Sequence, residues 1–412
     1  MSFVCFCIDL TIIRLCLSTR FYGSLRFSMR GKVLIVIPFF VPAFSYGWIV
    51  KVAYDHAIWL IHQGFDVTVI TTDVFDAKKR NTIQEETIEG IKIFRFRNIS
   101  NFLAKFHNLY LPLWMKKWIK EHIASYDVVH IHDIYNLSTY WAGKYAKEQK
   151  IKYFIQPHGT LDQIRIDSRK KGLKHSILRK LKNIFDSADG WFALTEKEKE
   201  DIRTVTNNKD IFLLPNGVSL DEYKNLKKRD LQKEFWLPES TIIFCFLGRI
   251  QYIKWLDISI QLLARYNQKF TNWRFLVIWP DEGEENELIQ LSKNLWIDEK
   301  IIWYWFEDTP KKYEYLASAD LFLLTSRSEW FPMTLLESLA CGLPIFITSA
   351  CNLPEAHEKV GFVTDMDTIE NTVDQLEYTL KNKKAYKSHM KDFLEDYDID
   401  HLISHLIQYY GV

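Results

Sequence analysis

From residue 29 onward, short β-branched and apolar runs alternate with longer segments whose apolar positions recur every three or four residues. That alternation predicts α/β architecture, with parallel strands covered by helices on both faces. Strands are predicted at 33–37 (VLIVI), 67–71 (VTVIT), 91–96 (IKIFRF), 127–131 (DVVHI), 152–156 (KYFIQ), 190–194 and 211–214. A second series follows at 241–247 (TIIFCFL), 274–278 (RFLVI), 300–304, 320–324 (DLFLL) and 344–348. The stretch between them carries Pro215, Asn216, Gly217, Pro238 and many charges, the composition of a linker. The chain therefore divides into an N-terminal domain, 29–216, a linker, 217–240, and a C-terminal domain, 241–392, each a doubly wound sheet.

Composition narrows the possible partners. The 53 basic and 52 acidic residues among 412 leave a net charge of +1, which offers no field for gripping a polyanion and disfavours nucleic acid as a partner. Cysteines 5, 7, 16, 245, 341 and 351 form no C-x-x-C pair and no zinc-ligand spacing, so no metal site is expected. The longest apolar run, 33–44, is too short to cross a bilayer core of ~30 Å and contains Pro38 and Pro42. Residues 1–28 lack the basic start of a signal peptide and are interrupted by Asp9 and Arg14. The simplest expectation is that translation begins at Met29 and that 1–28 is a non-native or disordered extension.

In open parallel sheets, ligands bind beyond the carboxyl ends of the strands. Four such loops stand out: 38–48 (PFFVPAFSYGW), 157–162 (PHGTLD), 248–255 (GRIQYIKW) and 325–337 (TSRSEWFPMTLLE). Gly248, Arg249 and Lys254 lie where a buried strand passes into a helix; two cations beside a helix N-terminus suit a diphosphate, or equally a solvated loop. Glu329 is predicted in a loop and Glu337 inside the otherwise apolar helix LLESLACGLP, where a buried carboxylate needs a partner such as a vicinal diol. His158, flanked by Pro157 and Gly159, is expected at a strand end facing the cleft. His130 and His132 alternate on a strand, so at most one should face the cleft, and metal binding there is not expected.

The ordered motifs PHGTLD (157–162), ADGWFALTEKEKEDI (188–202), LLPNGV (213–218), LGRIQYIK (247–254) and SEWFPMTLLESLACGLP (328–344) resemble glycosyltransferase family 4 over residues 31 to about 365. The resemblance implies a GT-B fold, two Rossmann-like domains facing a cleft, with a nucleotide-sugar donor and no metal or cofactor. It implies that Arg249 and Lys254 hold the donor diphosphate, that Glu337 binds the ribose, and that Glu329 sits beside the transferred sugar. Backbone amides of Phe331, Pro332's neighbour, through Met333 would lie near the sugar and distal phosphate. His158 would contact the sugar from across the cleft, and Gly47 would admit the phosphates, with Trp48 beside it. Retention of anomeric configuration and return of a C-terminal helix, 393–412, to the first domain are implied in the same way.

Two stretches bear on the acceptor. Residues 165–183 hold eight Lys or Arg and one Asp, and 102–120 interleave Phe102, Phe106, Tyr110, Trp114 and Trp118 with four lysines. Both read as basic amphipathic segments for an anionic membrane surface, or as ordinary solvated helices. Membrane contact fits a lipid-linked or polysaccharide acceptor in envelope glycan synthesis, with the enzyme cytoplasmic and peripheral at the inner face of the plasma membrane.

Against the family pattern, tryptophan stands where glycine is wanted at Trp48, Trp236, Trp255, Trp279, Trp296, Trp305 and Trp330. The chain holds only 15 glycines, where average usage would give roughly 29, and 14 tryptophans. Translation of UGA glycine codons as tryptophan accounts for both. Trp273 is expected to be genuine, whereas Trp59, Trp114, Trp118, Trp141, Trp191 and Trp303 are open. A GT-B sugar-nucleotide epimerase is the alternative, as is a catalytically impaired binding paralogue if the tryptophans are genuine. A Rossmann oxidoreductase is disfavoured, since no G-x-G-x-x-G follows the first strand.

Overall fold

A computed structural model describes residues 30–76, 79–162, 171–278, 283–304 and 309–412. The extension 1–28 and its boundary at Met29, Trp279, Trp305 and the first part of the basic stretch 165–183 lie outside the described residues. Strand β1 (Lys32–Val36) is followed by β2 (Asp66–Thr72), β3 (Glu85–Ile88), β4 (Ile91–Phe96), β5 (Val128–His132), β6 (Lys152–Gln156), β7 (Gly190–Ala193) and β8 (Ile211–Leu213). They form one sheet in the order β3-β4-β2-β1-β5-β6-β7-β8, parallel except for the antiparallel edge strand β3. The second sheet, β11-β10-β9-β12-β13-β14, is built from β9 (Ile242–Leu247), β10 (Trp273–Ile278), β11 (Ile301–Tyr304), β12 (Leu321–Leu324), β13 (Ile345–Thr348) and β14 (Gly361–Thr364). All its pairings are parallel.

The period-2 geometry of a strand sends β1 side chains into two different cores. Val33 and Ile35 pack with the helix Trp48–His62, while Leu34 and Val36 pack on the opposite face with Ile119 and Ile131. A central strand buried on both faces is continuously apolar for this reason.

The chain crosses between the sheets twice, and the two crossings are tied together. Val218 donates its backbone N–H to the Tyr397 carbonyl at 2.9 Å, and Ile399 donates to the Val218 carbonyl at 3.2 Å. The long helix Ile369–Glu395 buries Val373, Leu376, Met390 and Leu394 in the second core. The final helix, Ile399–Tyr410, buries Leu402, Ile403, Leu406 and Tyr410 in the first. Lys152 Nζ anchors its end through the Tyr410 carbonyl at 3.1 Å.

Among the described residues, four tryptophans have left-handed backbone: Trp114 at φ 67°, Trp236 at 49°, Trp255 at 55° and Trp296 at 60°. At Trp296, Ile297 donates to the Ser292 carbonyl and Trp296 to that of Lys293, each at 3.0 Å. At Trp236, Leu237 donates to Gln232 at 2.7 Å and Trp236 to Lys233 at 3.3 Å. Each is the paired bonding of a helix end that places glycine at the left-handed position. The indoles gain little in compensation, being 93% exposed at Trp236 and 88% at Trp296. Trp273 differs, lying fully buried at the start of β10.

Trp296→Gly is therefore expected to stabilise the chain by about 1 kcal/mol, by relieving left-handed strain without loss of core packing. Denaturant unfolding would measure it, and a loss of stability on removing the indole would contradict the reading.

Candidate functional site

β9 ends at Leu247 and delivers Gly248 and the exposed Arg249 to the cleft side of the second sheet. The turn Tyr252–Lys254 brings Lys254 Nζ to 2.5 Å from Glu329 Oε1, and the Ser326 hydroxyl donates to the same oxygen at 2.7 Å. The Glu329 backbone is held as well, its N–H donating to the Ala350 carbonyl at 2.9 Å and its carbonyl accepting from Asn352 Nδ2 at 2.5 Å. The Arg327 guanidinium lies 4.1 Å from the Tyr252 ring and 4.6 Å from the Trp255 ring, stacking the loop before Glu329 against the loop bearing Lys254. A cation and a carboxylate are thus fixed together at the strand ends, side chains largely shielded.

Glu337 sits one turn into the helix Met333–Ala340, only 3% exposed. Its Oε1 accepts from the Tyr313 hydroxyl at 2.6 Å and faces Lys312 Nζ at 3.6 Å, while its Oε2 is buried without a hydrogen-bond partner. A buried carboxylate oxygen with no donor is unfavourable until a ligand supplies one. Lys312 Nζ also lies 5.5 Å from the Trp48 ring, so the first loop of the N-terminal domain reaches the surroundings of Glu337. Gly47 precedes Trp48 at φ 101°, with open space where a side chain would begin.

On the opposite side, β6 leads into Pro157-His158-Gly159, with His158 itself left-handed at φ 53°. His158 Nε2 is 2.7 Å from His132 Nδ1, and burial pushes its imidazole down to about 3. It is therefore neutral at physiological pH. Gly159 and Leu194 both donate their backbone N–H to the buried Glu198 carboxylate, the latter at 2.7 Å. A Cβ added to Gly159 would lie 2.0 Å from the Trp330 ring, so the indole rests directly on this loop. The Asn216 side chain completes the span, its Nδ2 donating to the Phe331 carbonyl at 3.4 Å.

Of the expected site residues, Lys254 and Glu329 are brought into contact, and Trp330 meets the His158 loop across the cleft. Phe331 packs its ring 5.6 Å from Tyr397 and Met333 is buried, so only their backbones remain for a ligand. Pro332 caps the helix rather than entering it. One expectation is corrected: His130 and His132 do not divide between cleft and core. Residues two apart on a strand share a face, and both are fully buried. Lys312, Tyr313 and Glu198 were not singled out by the sequence. For Glu198 a signal existed, since Thr195 three residues earlier caps the helix Glu196–Arg203, yet the carboxylate turns away to bind Gly159 and Leu194.

Comparison with known proteins follows from this geometry. The family description "Glycosyltransferase Family 4" matches residues 49–222, and "Glycosyl transferases group 1" matches 227–392. The N-acetyl-alpha-D-glucosaminyl L-malate synthase of Bacillus anthracis is 26% identical over 64% of this chain and 67% of its own length. The O-antigen biosynthesis glycosyltransferase WclY of Escherichia coli is 24% identical over 64% of this chain and 73% of its own. Among solved structures, Anabaena HepE in complex with UDP and glucose superposes with a TM-score of 0.68 at 16% identity, covering 92% of this chain and 99% of that one.

Burial raises the Glu198 carboxyl from an ordinary 4.5 to about 7. The folded state thus favours the protonated form: its contribution to stability is complete below about 4.5 and is lost as pH rises through 7. Glu198→Gln, neutral at every pH, should remove a slope of up to ~1.4 kcal/mol per pH unit from unfolding curves across that window. An unchanged slope would show that Glu198 is not the group responsible.

Proposed function

The chain belongs to the group 1 glycosyltransferases of GT4 type and has their GT-B fold, and on that premise we propose that it transfers a sugar from a nucleotide-sugar donor to a glycan or lipid-linked acceptor in envelope polysaccharide synthesis. The observation that carries the donor reading is the unpartnered, buried Oε2 of Glu337, an acceptor that a ribose hydroxyl would satisfy. Lys254 and Arg249 take the diphosphate, Lys254 exchanging Glu329 for a phosphate oxygen. Glu329 is thereby released to accept from the sugar, and His158, held neutral, donates or accepts from the opposite wall. These cations neutralise the leaving nucleotide diphosphate without a metal ion. Transfer retains configuration: the bond from the anomeric carbon to phosphate breaks, the acceptor oxygen bonds on the same face, and its proton passes to the departing phosphate. An epimerase would need no acceptor, so turnover that depends on acceptor separates the two.

We also propose that glycine is the natural residue where tryptophan occupies a left-handed or close-approach position, through a UGA codon read as glycine. Trp236 and Trp296 at helix ends and Trp255 at a left-handed turn support this, as does Trp330 pressed on Gly159; Trp114 joins them on its φ. With glycine restored at these positions and at Trp48, Lys254→Ala is expected to lower transfer from a panel of nucleotide sugars by roughly 10²–10³ in kcat. Donor turnover unaffected by that change would overturn the assignment of the diphosphate site.

The acceptor side we assign to an anionic membrane at the cytoplasmic face. Supporting it are the exposed Phe102, Phe106 and Trp114, the last 76% exposed, around Lys116, Lys117 and Lys120. Tyr110 and Trp118 turn inward instead, Tyr110 buried and Trp118 packed 5.1 Å from Phe94. The helix Lys171–Asp186 likewise buries Leu178, Leu181 and Ile184 and leaves Lys180 and Lys182 exposed. Among the described residues no helix is long and apolar enough to cross a membrane. Sedimentation with phosphatidylglycerol vesicles is expected to carry the protein down at low salt and to fail for Phe102→Ser/Phe106→Ser; equal binding by both would exclude this patch.

A further inference from the structure

The N-terminal domain contains a polar cluster that donor binding does not use. His56 from the helix Trp48–His62 and His130 and His132 from β5 are each at most 1% exposed. One ring nitrogen from each lies within 4.8 Å of the others. His56 Nδ1, His130 Nε2 and His132 Nε2 are all buried without a hydrogen-bond partner. Beside them Gln156, in register with His132 on β6, also has both amide atoms unpartnered, although it lies close enough to His130 to raise its basicity slightly.

The opposite ring nitrogens are engaged. His130 Nδ1 lies 2.8 Å from the Tyr410 hydroxyl, and His132 Nδ1 2.7 Å from His158 Nε2. A neutral imidazole has one donor and one acceptor nitrogen. When His130 and His132 donate through Nδ1, each Nε2 keeps a lone pair, buried and without a hydrogen-bond partner among the described residues. Outer partners on the far nitrogen are what orient a metal-ligating histidine and select its tautomer. Burial also lowers the basicity of all three, His56 to about 4, so they are neutral and able to ligate.

We infer that His56, His130 and His132 form a binding site for a first-row transition-metal cation, with Gln156 Oε1 or a water as fourth ligand. Three imidazoles and an oxygen suit Zn(II) or Co(II) in tetrahedral geometry. Metal–nitrogen bonds of about 2.0–2.1 Å set ligand nitrogens roughly 3.4 Å apart, so the ligand atoms must draw in from spacings of up to 4.8 Å and the His130 and His132 rings, stacked 4.1 Å apart, must turn out of their stack to share one ion. The site is separate from the diphosphate site and independent of the donor reading. It meets His158 through His132, whose Nδ1–H becomes a stronger donor when the metal is bound.

The test uses the full chain, purified without a polyhistidine tag and stripped with chelator under native conditions. Added Co(II) is expected to bind at one equivalent with the visible absorption of a tetrahedral nitrogen-ligated ion, to be displaced by Zn(II), and to raise the melting temperature. Tyr410→Phe, which removes only an outer partner, should weaken binding by about 10-fold, and His56→Gln by more than about 100-fold. Should His56→Gln fail to fold, the native spectrum and the Tyr410→Phe titration still decide. No Co(II) spectrum, or a Co(II) affinity unchanged in Tyr410→Phe, would overturn the proposal and leave the cluster as a buried polar core without a metal.

Discussion

The closeness of two loops across the cleft is the constraint on which the site depends. The Gly159 backbone and the Trp330 indole are in contact with no room for a Cβ between them. Each loop is clamped from behind by a largely buried carboxyl group: Glu198 holds Gly159 and Leu194 on one side, and Lys254, Ser326 and Asn352 hold Glu329 on the other. On the proposed reading, what occupies residue 330 sets the room left for a sugar beside the His158 loop. A hydrogen at that position leaves a slot; an indole fills it.

The same opposition between backbone and side chain recurs far from the cleft. At residues 236 and 296 the backbone completes both hydrogen bonds of a glycine-type helix end, and the side chain it carries projects into water. On the proposed reading, a UGA codon is the shared cause at the helix ends and at the cleft loops. Where tryptophan is buried and bonded, as at Trp191 with its indole N–H on the Phe185 carbonyl at 3.2 Å, the fold uses it as any core does.

Most strands were legible because central parallel strands are apolar on both faces, and Glu337 was legible as a buried carboxylate inside an apolar helix. Two strands were not. β3 is a polar antiparallel edge, EETI, and β14 is four residues long, GFVT, so neither shows a run. Glu198 was hidden among the neighbouring charges of EKEKEDI, and Lys312 within KKYEY. The histidines of DVVHIH were visible but misplaced, because their shared strand face was read as two. What sequence could not supply in each case was a tertiary partner: Gly159 for Glu198, Glu337 for Lys312, and His56 for the strand pair.

The central claim is that residue 330 governs access to the donor site. Calorimetric titration of UDP-glucose into the chain bearing Trp330 and into Trp330→Gly measures it directly. Tighter binding, by tenfold or more, is expected for the glycine form, since the indole must otherwise leave Gly159 before a sugar can enter. Equal affinity of the two proteins would contradict the account.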